Sequence, residues 1–133
     1  MKMFITEEFL VRSIQDEFHI RYPHLKLEFF RQPHGRYEGS RREERVHPDT
    51  HIDEIRDIHC AAWIDFGGYI TVAELEDQFM HLLGLSAQVF RKSGSVWLET
   101  TETDDLTLGE LEERAGFEAP AAEIPDNDLN EQT

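Results

Sequence analysis

Ile70-Thr71-Val72-Ala73-Glu74-Leu75 reads as the start of a helix, and the chain repeats the idea at Ile5-Thr6 with Leu10 and at Leu106-Thr107 with Leu111. In each copy the threonine can accept a hydrogen bond from an orphaned amide of the first turn. The apolar residue before it can pack on the one four places into the helix. Thr71 with Glu74 and Thr107 with Glu110 add the reciprocal glutamate of a capping box.

Outward from Thr71, the spacing of Val72, Leu75, Phe79 and Leu82 or Leu83 predicts a helix over 72–83 that ends at Gly84, a residue suited to a left-handed cap. Upstream, Gly67-Gly68 turns the chain out of a strand predicted over 58–66, marked by Cys60, Trp63 and Ile64. Downstream, 87–91 and 95–99 flank Lys92-Ser93-Gly94 as a hairpin. A third helix is expected over 108–115, closing at Gly116.

The first half has the same grammar. A short strand over 1–5 feeds a helix predicted over 7–22, with Leu10, Val11, Ile14 and Phe18 at helical spacing and Pro23 as its stop. Leu25-Lys26-Leu27-Glu28-Phe29 then alternates apolar and charged residues with period two, the pattern of a half-buried strand. Phe4-Ile5-Thr6 matches Tyr69-Ile70-Thr71, and Phe30-Arg31-Gln32 matches Phe90-Arg91-Lys92. The expected class is therefore α+β: a ferredoxin-like split βαβ with an added C-terminal strand and helix, its two helices on one face of an antiparallel sheet. A β-grasp-like mixed sheet is the alternative.

At 133 residues the chain suits one domain. Residues 1–117 form that α+β domain, and 118–133, with Pro120, Pro125 and scattered acids, form a disordered acidic tail. Within the domain, 32–56 lacks periodicity and carries Pro33, Gly35, Gly39 and Pro48, so it reads as a long charged loop. Cys60 is the single cysteine, and apolar neighbours mark it as a buried thiol. No apolar run is long enough for a membrane span and none resembles a signal peptide, which gives a cytoplasmic expectation.

The formal net charge of -15 opposes nonspecific binding to nucleic acid or anionic membrane, both of which need a positive field. The charge is uneven. Residues 99–133 hold twelve acidic side chains and one basic, whereas 31–48 hold five arginines against three glutamates.

The stretch from Val89-Phe90-Arg91-Lys92 to Trp97-Leu98-Glu99-Thr100-Thr101 resembles a family of small bacterial proteins of unassigned function. The likeness covers mainly 70–107, with an echo in 25–31, and it implies no catalytic residue.

Two clusters carry chemistry worth naming. His47, Asp49 and His51, with His59 downstream, combine imidazole and carboxylate as Zn²⁺, Mn²⁺ or Fe²⁺ sites do, although Pro48 opposes a continuous helix there and no H-E-x-x-H pattern occurs. Arg36, Arg41, Arg42 and Arg45 can bind a partner or phosphate through their guanidinium forks, interleaved with Glu38, Glu43 and Glu44. Trp63 and Trp97 fall in predicted strands and read as core or sheet-face packing. No phosphate loop, nucleophile elbow or cofactor motif is present, so no cofactor is expected.

The function expected from these residues is a non-enzymatic, acidic protein-interaction module that binds another protein, or a second copy of itself, through a sheet edge or the long loop. The alternatives are a metal-binding protein or metal-dependent enzyme using His47, His51 and His59, and an acidic mimic that binds a basic partner.

Overall fold

The computed structural model describes residues 1–31, 45–100 and 105–118. In chain order these form strand β1 (Lys2–Ile5), helix α1 (Val11–Arg21), β2 (Leu25–Phe30), a 3-10 turn (Ile52–Ile55), β3 (Ala62–Asp65), α2 (Val72–Gln78) running into a π-helical turn (Phe79–Leu83), the hairpin β4 (Ser86–Ser93) and β5 (Val96–Glu99), and α3 (Leu108–Glu118). No helix among the described residues is long and apolar enough to cross a membrane.

The α+β class and the antiparallel pairing are as expected, but the strands divide into two ladders, β1–β3 and β2–β4–β5. A single ferredoxin-like sheet is therefore not what these residues build, and neither ladder is the mixed sheet of a β-grasp. Both ladders turn one face to a common core. Met3, Ile5 and Ile64 come from the first, Leu25, Leu27, Phe29 and Val89 from the second, and the buried stripes of all three helices meet them. Phe29 and Phe79 cross edge to face at 5.3 Å. Each fully buried side chain of this size contributes about 1.5–3 kcal/mol.

Both complete capping boxes form. The Glu74 amide donates to Thr71 Oγ1 (3.1 Å) and the Thr71 amide to Glu74 Oε1 (3.0 Å); Glu110 and Thr107 repeat this at 3.1 and 2.9 Å. The two motifs also lie antiparallel against each other. Val72 N–H donates to the Leu106 carbonyl (3.0 Å), Leu108 N–H to Ile70 (2.8 Å) and Gly109 N–H to Gly68 (3.0 Å). Thus the first three amides of α3, which no intrahelical carbonyl can reach, all have acceptors. Gly109 permits this approach, since a Cβ there would stand 3.1 Å from the Gly68 oxygen.

The Ile5-Thr6 copy behaves differently. Position three after Thr6 is Phe9, not Glu, and α1 starts later, with Leu10 at its N-cap and no side-chain cap. Its first amides are taken by the 47–51 segment instead: Val11 N–H donates to Thr50 and Arg12 N–H to Pro48, both at 2.8 Å.

The charged loop is also more structured than its sequence suggests. Residues 32–44 lie outside the described residues, but Val46 and Ile52 are buried in the core. Val46 stands alone among charged residues, and Ile52 has only Ile55 and Ile58 at three-residue spacing, a pattern too short to mark a buried face. α3 likewise continues past Gly116 to Glu118. Apart from residue 118, the predicted tail lies outside the described residues.

Candidate interaction surface

A strand without a neighbour on one side presents unpaired amides and carbonyls, and each such edge here has a definite fate. Leu25, Leu27 and Phe29 point their backbone groups away from β4. Their carbonyls accept from His19 Nδ1 (2.8 Å), Gln15 Nε2 (2.9 Å) and the Val46 amide (2.8 Å). Helix α1 and the segment after the loop therefore close this edge of β2. Gln78 closes β3 at Asp65, donating to its carbonyl and accepting from its amide, both at 2.7 Å.

Among the described residues the edge of β1 is open. The Phe66 amide donates to Met1 across the ladder, and the register pairs Met3 with Ile64 and Ile5 with Ala62 as its continuation. In an antiparallel ladder the bonded pairs alternate, so the backbone groups of Lys2 and Phe4 face outward. No hydrogen bond from a described residue reaches them. The side chains of Lys2, Phe4, Trp63 and Asp65 share the face away from the core. Phe4 and Trp63 are cross-strand neighbours with ring centroids 5.0 Å apart, and they are 43% and 59% exposed. Trp63 is thus not a core residue, despite its position in an apolar run. The alternation that buries Ile64 turns it outward.

Asp65 borders this face. A short hydrogen bond from the Tyr69 hydroxyl holds its carboxyl below the usual range, outweighing partial burial and assisted by the Gly67 amide. The same bond raises the Tyr69 hydroxyl.

Among the described residues β5 has an open edge too. Its bonded pairs with β4 are Ser93 with Val96 and Arg91 with Leu98, leaving the backbone groups of Trp97 and Glu99 outward. Val96 and Leu98 are 52% and 40% exposed. Lys26 Nζ lies 5.0 Å over the Trp97 ring.

The predicted metal residues do not converge. His47 lies 3.9 Å from Asp49, His51 3.4 Å from Glu54 and His59 3.0 Å from Asp53, so each imidazole faces its own carboxylate. Among the described residues no group of three or more His, Cys, Asp or Glu side chains surrounds one point. The 47–51 segment instead caps α1, with Asp49 ion-paired to Arg12.

Asp53 belongs to a different construction. Arg56, its side chain fully buried, bonds Asp53 (2.7 Å), the Leu83 carbonyl at the end of the π-helical turn (3.0 Å) and the Cys60 carbonyl (2.9 Å). Burial pushes the Asp53 carboxyl up, but hydrogen bonds from His59 and Arg56 outweigh it and leave it below the usual range.

Of the arginine cluster, Arg36, Arg41 and Arg42 lie outside the described residues. Arg45 sits beside Phe30 in an isolated bridge, 3.8 Å from Glu28 and over the Phe90 ring. Glu28, nearly buried, also takes Lys26 at 3.2 Å, so Arg45 belongs to a cross-strand charge network.

Among the described residues this is an α+β domain whose β2 edge is closed, whose β3 edge is closed at Asp65, and whose β1 and β5 edges are open. Compared with protein-family models, with curated proteins and with solved structures, the chain matches none.

Proposed function

We propose that this chain is a protein-interaction module that takes up an extended segment of another protein along β1. The observation that carries this reading is the open β1 edge beside the exposed Phe4–Trp63 pair, in a domain that spends Gln15, His19 and Gln78 on closing other edges. Strand addition draws affinity from main-chain hydrogen bonds and specificity from alternate side chains. Aromatic residues are the side chains that most often dominate binding energy. The net charge of -15 favours a segment with basic flanks, approaching at a rate that falls as salt rises. The reading assigns no catalytic residue.

The test is co-purification from the native cell, with bound proteins identified, using wild type and the Trp63→Ser variant. A partner retained by wild type and lost by the variant, with the outward Lys2 and Phe4 amides newly protected from hydrogen exchange in the complex, supports the module. A partner held equally by both overturns the β1 reading.

A further inference from the structure

We propose that the β5 edge is a self-association surface, occupied by β5 of a second copy in antiparallel register about a two-fold axis at Leu98. This is independent of the β1 reading, because it uses the other ladder and different residues.

Four observations lead there. The strand is four residues long, and its outward groups are those of Trp97 and Glu99 alone. A copy of the same strand centred on Leu98 pairs Trp97 with the partner's Glu99 and Glu99 with the partner's Trp97. All four outward N–H and C=O groups on each copy are then satisfied within the strand.

The side chains agree with this register. Leu98 meets its own copy on the axis, as a non-bonded pair whose side chains stand close, and its exposed apolar surface is covered. On the opposite face Lys92, which pairs with Trp97 inside the hairpin, comes into line with the partner's Glu99 across the indole. That line crosses two strand spacings of about 4.8 Å each, a gap that the extended lysine and glutamate side chains bridge together over the indole. Each copy contributes one such Lys92 and one Glu99, which makes the joint self-complementary in charge, as a two-fold interface requires.

Neighbouring registers fail. Centring on Glu99 brings two carboxylates face to face. Centring on Trp97 asks Ser95 to pair, but Ser95 lies in the two-residue turn with Gly94 at φ +63. Finally, Arg91 and Lys92 make the hairpin locally basic within a chain of net charge -15, so the edge escapes the repulsion carried by the rest of the surface.

Light scattering on the full chain across a concentration series reads the mass. Wild type is expected at twice the chain mass, and Leu98→Lys, which sets two ammonium groups on the axis, at the monomer mass with an unchanged circular dichroism spectrum. Trp63→Ser is expected to stay dimeric. In a Cys60→Ala background, mild oxidation of Leu98→Cys should cross-link at least about tenfold faster than Val96→Cys, whose copies would stand roughly 13 Å apart along the joint. A wild type that stays monomeric to about 100 µM overturns the proposal, since a stable dimer is well formed there. So does a dimeric Leu98→Lys, or equal cross-linking at 96 and 98.

Discussion

Gln78 holds Asp65 by both backbone groups, its side-chain amide donating to the carbonyl and accepting from the amide at 2.7 Å each. One glutamine thus takes the place of a missing strand at the edge of β3. Gln78→Ala should leave both groups without protein partners and cost about 1–3 kcal/mol. Gln78→Glu keeps the acceptor and loses the donor, so it should fall between the two. Urea denaturation of the three proteins checks the order.

Arg56 is the buried tie between the 3-10 turn and the end of the π-helical turn. Arg56→Ala should destabilise by about 3 kcal/mol, because it strands two carbonyls and removes the guanidinium from Asp53. Thermal unfolding should show this as one of the largest losses among single polar substitutions. A loss within 0.5 kcal/mol, the size of about an ordinary surface change, would mean that the network carries no weight.

Three threonines in similar sequence settings should respond differently. Thr71→Ala and Thr107→Ala each remove a formed capping box and should cost about 1 kcal/mol. Thr6→Ala removes no side-chain cap and should cost less than about 0.5 kcal/mol. Since the two boxes pack against each other, the Thr71/Thr107 double variant should depart from additivity, which a double-mutant cycle measures.

Acid should loosen the fold through Asp53 and Asp65, whose carboxyls sit below their ordinary value of 3.8 in the folded chain. Such a group binds its proton more readily when unfolded. Its stabilisation is whole above the unfolded pKa and is lost as pH falls through the folded one. Stability should therefore decline below about pH 4. Asp53→Asn and Asp65→Asn should each flatten that decline, as read from denaturation midpoints between pH 2 and 6.

Gly84 closes the π-helical turn at φ +69, and a Cβ there would stand 3.0 Å from Ile58 Cγ1. Gly84→Ala should cost about 1–2 kcal/mol, from left-handed backbone strain and the crowding of Ile58. The melting temperature checks it.

The parts of the fold legible in sequence are those set by near neighbours. Thr71 and Glu74, three residues apart, announce α2 without help from the rest of the chain, and Leu25 to Phe29 declare their inward face by alternation. What escaped is carried by distant segments. Thr6 looks like a cap, yet Pro48 and Thr50 satisfy α1 from about forty residues away, and only the folded chain shows it. Alternation tells which face is dry but not which strand lies alongside, so it could not divide five strands into two ladders. The candidate surface was half visible. Met3 and Ile5 facing inward already turn Phe4 out, but the unbroken apolar run from Cys60 to Ile64 hid the same fact about Trp63. The histidines near 47–59 suggested a cluster because they are close in sequence; a turn, rather than one helix face, spreads them among three carboxylates.

The interlocked starts of α2 and α3 make each helix the other's lock. When Leu106 to Gly109 pull away, Val72 loses its acceptor at the same moment as Leu108 and Gly109 lose theirs, so detachment of the last helix is felt at Val72, far earlier in the chain. A protease, a truncation or a tug on the C-terminal end would be answered by fraying at Val72, beside the turn that leads out of β3.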